Sequence, residues 1–497
     1  MSTSHYRQLW SELKNKTEDP ETVGRLAGWI AASFLDEFLK DGSYIEDHIT
    51  LLCEMSTHGP DPQPAQTAAR ALFGTIIERL CDEFEELPGD TYNQVMAQVL
   101  SFCRRLPVGA TLDQRLTEAG IDSHRQIVAR IDRIRKNGNL LTARQSPGKI
   151  FILSRVTLGA DVAVTSIILQ RLAALFTKAE LILLGSQKCR QIFGGWKRLT
   201  IVPMAYQRKG GLFERLESWH QAHKIIEDYT GTGDDGRHIL IDPDSRLSQL
   251  GLLPLMPEEN YSFFNSRSAD AAKGGLSIGA LTNTWLDRIS GNQNFTFPGV
   301  WPQPDNLHKA ATFCDRLRSN GARRLIVINF GVGGNPRKRV GRQFEHDLLH
   351  QLLEEPDTVI LLDKGFGEEE SESARLLISA LKEKGHRVHE CDTSHPPMES
   401  INSGVLSLEL GIGDLASLLK NSDEYIGYDS AGQHIAAALK VPCVTVFAGS
   451  NSMRFIQRWA AMGPGQRHIV HADTLTDPAA VDIEGVIGRV MAARGRE

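Results

Sequence analysis

Between residues 323 and 449 the chain alternates short apolar runs with longer amphipathic ones: "RRLIVINFG", "FEHDLLHQLLEE", "TVILLDKG", "EEESESARLLISALKEKG", "RVHECD", "IGDLASLLKNS", "EYIGYDS", "QHIAAALK" and "PCVTVFAG". Strands that alternate with helices predict βαβ crossovers, and hence a doubly wound parallel sheet. Few other architectures accommodate that order.

A second block of the same kind starts near 148. "GKIFILSRVTLGADVAVTSIILQRLAALF" reads as a strand, a glycine turn and an apolar helix, and "AELILLG" (179–185) supplies another strand. Two such blocks in one chain predict paired Rossmann-like domains with a cleft between them. The stretch between them is less regular: "YQRKGGLFERLESWHQAHKII" reads as helix, "RHILIDPD" as strand and "NYSFFNSRSADAAKGGLS" as loop. "PGVWPQPDN" (298–306), with three prolines, is a candidate interdomain linker. Residues 1 to about 140 have helical periodicity, as in "AQTAARALFGTIIERLCDEFEEL", and the prolines of "STHGPDPQPAQ" divide them into two helical groups. The expected division is a helical accessory domain (1–145), an N-terminal Rossmann-like domain (146–305), a C-terminal one (306–480) and a last helix (481–497).

A net charge of −6 over 497 residues gives no overall electrostatic reason to bind nucleic acid or an anionic membrane. The seven cysteines are scattered and form no CxxC, which suggests neither a disulfide framework nor a zinc site and fits a reducing cytoplasm. The first twenty residues lack the basic-then-apolar order of a signal peptide, and no apolar run is expected to reach the 18 or so residues that span a bilayer. Work on a membrane-linked substrate would then be peripheral.

Chemistry concentrates in "YIGYDSAGQHIAAALKVPCVTVFAG" (425–449), where a strand meets a helix N-terminus. Ligands of open parallel sheets sit at that place, because first-turn N–H groups are unpaired and carry partial positive charge. Asp429 could hold the loop or a hydroxyl, Ser430 could cap the helix or donate to an oxygen, Gly432 would admit a phosphate, and His434 could reach a sugar or phosphate. The plainer alternative is that Asp429 and Ser430 are caps and His434 a satisfied core histidine.

This stretch resembles the nucleotide-sugar signature of the family 9 glycosyltransferases, the heptosyltransferase group. Asp429, Ser430, His434, the AAAL at 436–439, Pro442 and Phe447 match it, while Ala431 and Ala448 stand where the family usually has glycine. "FILSRVTLGADVAVT" is similar to the family's opening strand and Gly-Asp turn, with Ala160 inserted between Gly159 and Asp161. The resemblance, covering about 150–480, implies a GT-B architecture of two Rossmann-like domains, here preceded by an α-helical domain. It also implies inverting, metal-independent transfer of a heptose or related sugar from a nucleoside-diphosphate donor to an acceptor hydroxyl, with no cofactor.

Residue by residue, the resemblance makes Asp161 the general base. The alternative for Asp161 is an N-cap of the helix from 162. Donor contacts are expected from the run Asp429, Ser430, Ala431, Gly432, Gln433 and His434. In "INFGVGGNPRKRV" (328–340), Gly333 shapes the loop and Lys338, with its neighbours Arg337 and Arg339, would neutralise the diphosphate. Of Glu368, Glu369 and Glu370, Glu369 is taken as the ribose ligand. The acceptor would be a glycan, a lipid-linked sugar or a polypeptide. Pro336 spoils "GVGGNP" as a dinucleotide fingerprint, and Asp242 and Asp244 of "IDPDSR" are expected in a turn or on the acceptor side, not on a metal. Two other readings remain: a nucleotide-sugar binding or scaffold protein without turnover, and a sugar-nucleotide epimerase.

Overall fold

The computed structural model describes the chain apart from residues 1–2, 15–18, 83, 137–139, 142–145, 232–236, 269–274, 394–400, 478–479 and 496–497. Part of the loop expected over 260–277 therefore lies outside the described residues.

Among the described residues twelve strands form two sheets: β1 Lys149–Leu153, β2 Glu180–Gly185, β3 Leu199–Pro203, β4 His238–Asp242, β5 Tyr261–Phe263, β6 Arg324–Asn329, β7 Thr358–Asp363, β8 Val388–Cys391, β9 Gly404–Leu408, β10 Glu424–Tyr428, β11 Cys443–Phe447 and β12 Arg467–His471. The first sheet has the order β3-β2-β1-β4-β5 and the second β12-β11-β10-β6-β7-β9-β8. Every pairing with a described register is parallel. Central strands such as β4, β7, β10 and β11 are buried along their whole length, which is why their sequences are apolar runs and not alternating ones. The doubly wound α/β fold is as expected. The weaker strands β3, β5, β9 and β12 were not foreseen, and the helix expected from 206 begins only at Glu217, after the Gly210–Gly211 turn.

Internal contacts group the chain into two compact units, Met1–Val156 with Lys178–Ser186 and Val202–Gly274, and Thr157–Thr177 with Gln187–Ile201 and Gly275–Glu497. In the first, helices run from Thr3 to Lys136, opened by caps such as Asp19 before Pro20 and Asp61 before Pro62. The DxD carboxylates belong to this unit and are spent internally. Asp242 accepts from Ser248 Oγ, Tyr261 Oη and the Ser245 N–H, and burial pushes its pKa up to about 6. Asp244 pairs with Arg267, whose Nε donates to the Cys81 carbonyl at 3.2 Å and so ties the helical region to the end of β4.

In the second unit the proline-rich stretch is well anchored: Trp301 donates its N–H to the Ile192 carbonyl at 2.7 Å, and its indole lies 4.6 Å from that of Trp196. Leu158–Leu175 bears on the membrane expectation. By length and composition it could cross a bilayer, but it is 72% buried inside the protein, as core helices are. Ala160 is accommodated by a change of helix type. The helix begins at Leu158, and Asp161–Thr165 forms a π turn in which the Ser166 N–H reaches back five residues to the Asp161 carbonyl. A π bulge absorbs one extra residue while the rest of the helix keeps its face.

Candidate functional site

In the second sheet the chain starts at β6, moves to β7 on one side, and later returns to β10 on the other. The topological switch therefore falls between β6 and β10, and the loops leaving their carboxyl ends form the crevice where such sheets bind ligands. Lys338 and Asp429 meet there. A 3₁₀ turn at Pro336–Lys338, capped by Asn335 through the Arg337 N–H, presents Lys338. Its Nζ lies 2.6 Å from Asp429 Oδ2 and 3.3 Å from the Asp429 carbonyl. Gln433 Nε2 donates to the other carboxylate oxygen at 2.7 Å.

This arrangement answers the capping alternative. Asp429 is engaged by Lys338 and Gln433, and Ser430, although at the N-cap of Ala431–Ala438, makes no side-chain cap hydrogen bond. The first-turn N–H groups of this helix, from Ala431 on, thus lack a side-chain cap and retain their partial positive charge. Gly432 serves an unforeseen purpose: a Cβ there, or on Gly427, would run into the hydroxyl of Tyr425, whose ring fills the space under the loop.

His434 is 3% exposed, yet its Nδ1 has no hydrogen-bond partner among the described residues, and neither does Gln433 Oε1. A buried, unpartnered acceptor or donor is costly, so these atoms mark a place where a ligand can complete the bonding. Burial, reinforced by Lys338 and opposed by Asp429, lowers the His434 pKa to about 4. The ring is therefore neutral near pH 7. The unfolded chain binds this proton near pH 6.5 and the folded one near 4, so stability rises with pH across that interval and is lost on acidification. Denaturant unfolding at pH 7 and 4.5 is expected to show a His434→Gln variant losing about 2–3 kcal/mol less than the parent chain.

The turn carrying Asp161 lies in the same unit and touches this helix. A Cβ on Gly159 would sit 3.2 Å from His434 Cδ2 and 3.3 Å from Ala431 Cα, so glycine permits the close approach. Asp161 is not an N-cap. It is 1% exposed inside the π turn, its Oδ1 accepts from Thr165 Oγ1 at 2.8 Å, and Cys189 Sγ stands 3.7 Å from Oδ2.

The remaining predicted residues separate. Arg337 is exposed, and Arg339 is held by Glu345, which is fully buried and also accepts from Tyr428 Oη at 3.0 Å. Glu369 is exposed, and its neighbour Glu370 does the local work. Glu370 Oε1 accepts from the N–H groups of Val332 and Gly333 at 2.8 and 3.1 Å, and Oε2 from that of Phe366 at 2.8 Å, bracing the loops after β6 and β7. A Cβ on Gly331 or Gly365 would crowd that carboxylate. Glu345, Tyr425 and Thr165 had no sequence signal beyond being polar residues near a motif, and Glu370 was one of three glutamates that the sequence left equivalent.

A parallel sheet with an open helix N-terminus and a lysine–aspartate pair at its switch point has the features with which such sheets meet phosphorylated ligands. Residues 376–476 match the model of Glycosyltransferase family 9 (heptosyltransferase), so the resemblance read from 425–449 holds and the enzyme class is that of a glycosyltransferase. No curated protein sequence matches the chain. Among solved structures, a family 9 glycosyltransferase from Veillonella parvula is 14% identical, with a TM-score of 0.49, over 71% of this chain and 97% of its own. ADP-heptose lps heptosyltransferase II of E. coli is 13% identical, TM-score 0.46, over 69% and 98%. E. coli heptosyltransferase WaaC with ADP is 13% identical, TM-score 0.47, over 69% and 99%.

Proposed function

We propose that the protein transfers a heptose or related sugar from a nucleoside-diphosphate donor to an acceptor hydroxyl, with inversion and without a metal ion or cofactor. The observation that carries this is the cluster of Lys338, Asp429, Gln433 and the unpartnered His434 Nδ1 around the uncapped helix at Ala431. Charge develops on the diphosphate as it leaves. Lys338 and the first-turn N–H groups supply fixed positive potential for that charge, and preorganised donors of this kind act most strongly in the transition state. His434 and Gln433 would orient the sugar or the phosphates, and Asp161 would take the acceptor proton. The acceptor is a hydroxyl of a glycan, a lipid-linked sugar or a polypeptide, the site of action is the cytoplasm, and the helical region of the first unit is available for acceptor selection.

A second reading, binding without turnover, draws support from the inward-facing Asp161 carboxylate, already engaged by Thr165 and close to Cys189. One experiment separates them. Release of nucleoside diphosphate is followed with a panel of nucleotide sugars in EDTA, with and without glycan acceptors, for the parent chain and Asp161→Asn. Acceptor-dependent turnover that falls 10²- to 10⁴-fold in the variant is the expected outcome. Turnover indifferent to Asp161→Asn would remove it as the base; donor conversion without acceptor would point to an epimerase; no turnover would favour the binding protein.

A further inference from the structure

Phe366 is 80% exposed at the tip of the loop that follows β7. Single exposed apolar residues are ordinary on protein surfaces, so exposure alone carries no weight. Three further observations single this one out. Its backbone is fixed: the N–H is bonded to Glu370 Oε2, and the flanking Gly365 and Gly367 hold φ of 81° and 91°, conformations that favour glycine. Its ring carries a cation on one side, with Lys188 Nζ 4.3 Å from the centroid. Its place in the sheet is one strand beyond β6, whose loop bears Lys338.

Neighbouring strands are about 4.8 Å apart. From the β10/β6 crevice, where the diphosphate would sit, to the end of β7 is one to two such steps, roughly the reach of a ribose. A rigidly presented aromatic face at that distance is suited to a nucleobase, since every base has a π face and stacking needs no hydrogen-bond code. Resting on the nucleotide-sugar reading above, we propose that Phe366 is the stacking platform for the donor's nucleobase, with Lys188 covering the opposite face of the ring. Glu370 is then a positioning residue: it sets the height of the platform relative to the loop of Lys338 by holding both loops through their N–H groups.

The test is calorimetric binding of ADP, GDP, UDP and CDP, and of inorganic pyrophosphate, to the parent chain, Phe366→Ala and Phe366→Trp. The expected result is a roughly 5- to 150-fold loss of nucleotide affinity in Phe366→Ala, the range that base–aromatic stacking supplies. Phe366→Trp should restore nucleotide affinity, and pyrophosphate affinity should be equal in all three. Unchanged nucleotide affinity in Phe366→Ala would place the base elsewhere and overturn the proposal while leaving the donor site standing. Equal losses for nucleotide and pyrophosphate would mean that the side chain only shapes the loop, which also overturns it. A parent chain that binds none of the nucleotides would overturn the donor-site reading and this inference together.

Discussion

Lys338→Ala is expected to lower kcat/KM for glycosyl transfer by about 10²- to 10³-fold, the loss seen when one preorganised stabiliser of developing negative charge is removed. The side chain is the cation that meets Asp429 at the switch between β6 and β10, so on the proposed reading its removal would leave a departing diphosphate without its cationic side chain there. It also leaves Asp429, 6% exposed, with Gln433 as its remaining side-chain partner, so some stability is lost as well. Lys338→Arg would restore charge but not the compact geometry of an ammonium between two Asp429 oxygens, and partial rescue is the expected outcome. Steady-state kinetics beside a melting curve separate the effects. A kcat/KM within threefold of the parent would contradict the assignment.

Arg339→Ala should behave quite differently, costing about 3–5 kcal/mol of stability, because it strands the fully buried Glu345 without its cation. Burial already raises the Glu345 pKa against the opposing pull of Arg339, and the Tyr428 hydroxyl is its other hydrogen-bond partner. Replacing Arg339 and Glu345 together by apolar residues of similar volume should recover most of the loss, as paired removal leaves no orphaned charge. Arg337→Ala, at an exposed position two residues away, should stay within about 0.5 kcal/mol. Urea unfolding of the single and paired variants checks this; a stable Arg339→Ala with weakened nucleotide binding would instead return Arg339 to the donor site.

The contrast between adjacent cations shows what sequence could and could not convey. The glycine turn followed by "RKR" suggested a phosphate-binding loop, but the choice among Arg337, Lys338 and Arg339 depends on Glu345, a helical residue whose burial is decided by tertiary packing. Likewise the three glutamates of 368–370 were equivalent as letters. Only the approach of the β6 loop selects Glu370, through N–H groups that carry no sequence signature. Fully buried strands such as β7 and β10 were plain because their apolar runs are uninterrupted, whereas β12 is partly exposed at the sheet's edge, and β9, although buried, was missed. How the chain accommodates the inserted Ala160 was not legible either. A π turn absorbs it, a local change no pattern of apolar residues announces.

The central claim is that the open helix N-terminus at Ala431, with Lys338 and His434, is a nucleotide site. Its most direct test is thermal unfolding in EDTA with ADP-, UDP-, GDP-, CMP- and dTDP-sugars, on the parent chain and on His434→Ala. A ligand at 100 times its Kd adds about 2.7 kcal/mol to stability, enough to move the midpoint visibly. The account predicts a rise with one nucleotide class in the parent chain that is lost or sharply reduced in the variant. No rise with any of them, or the same rise in both proteins, would contradict it.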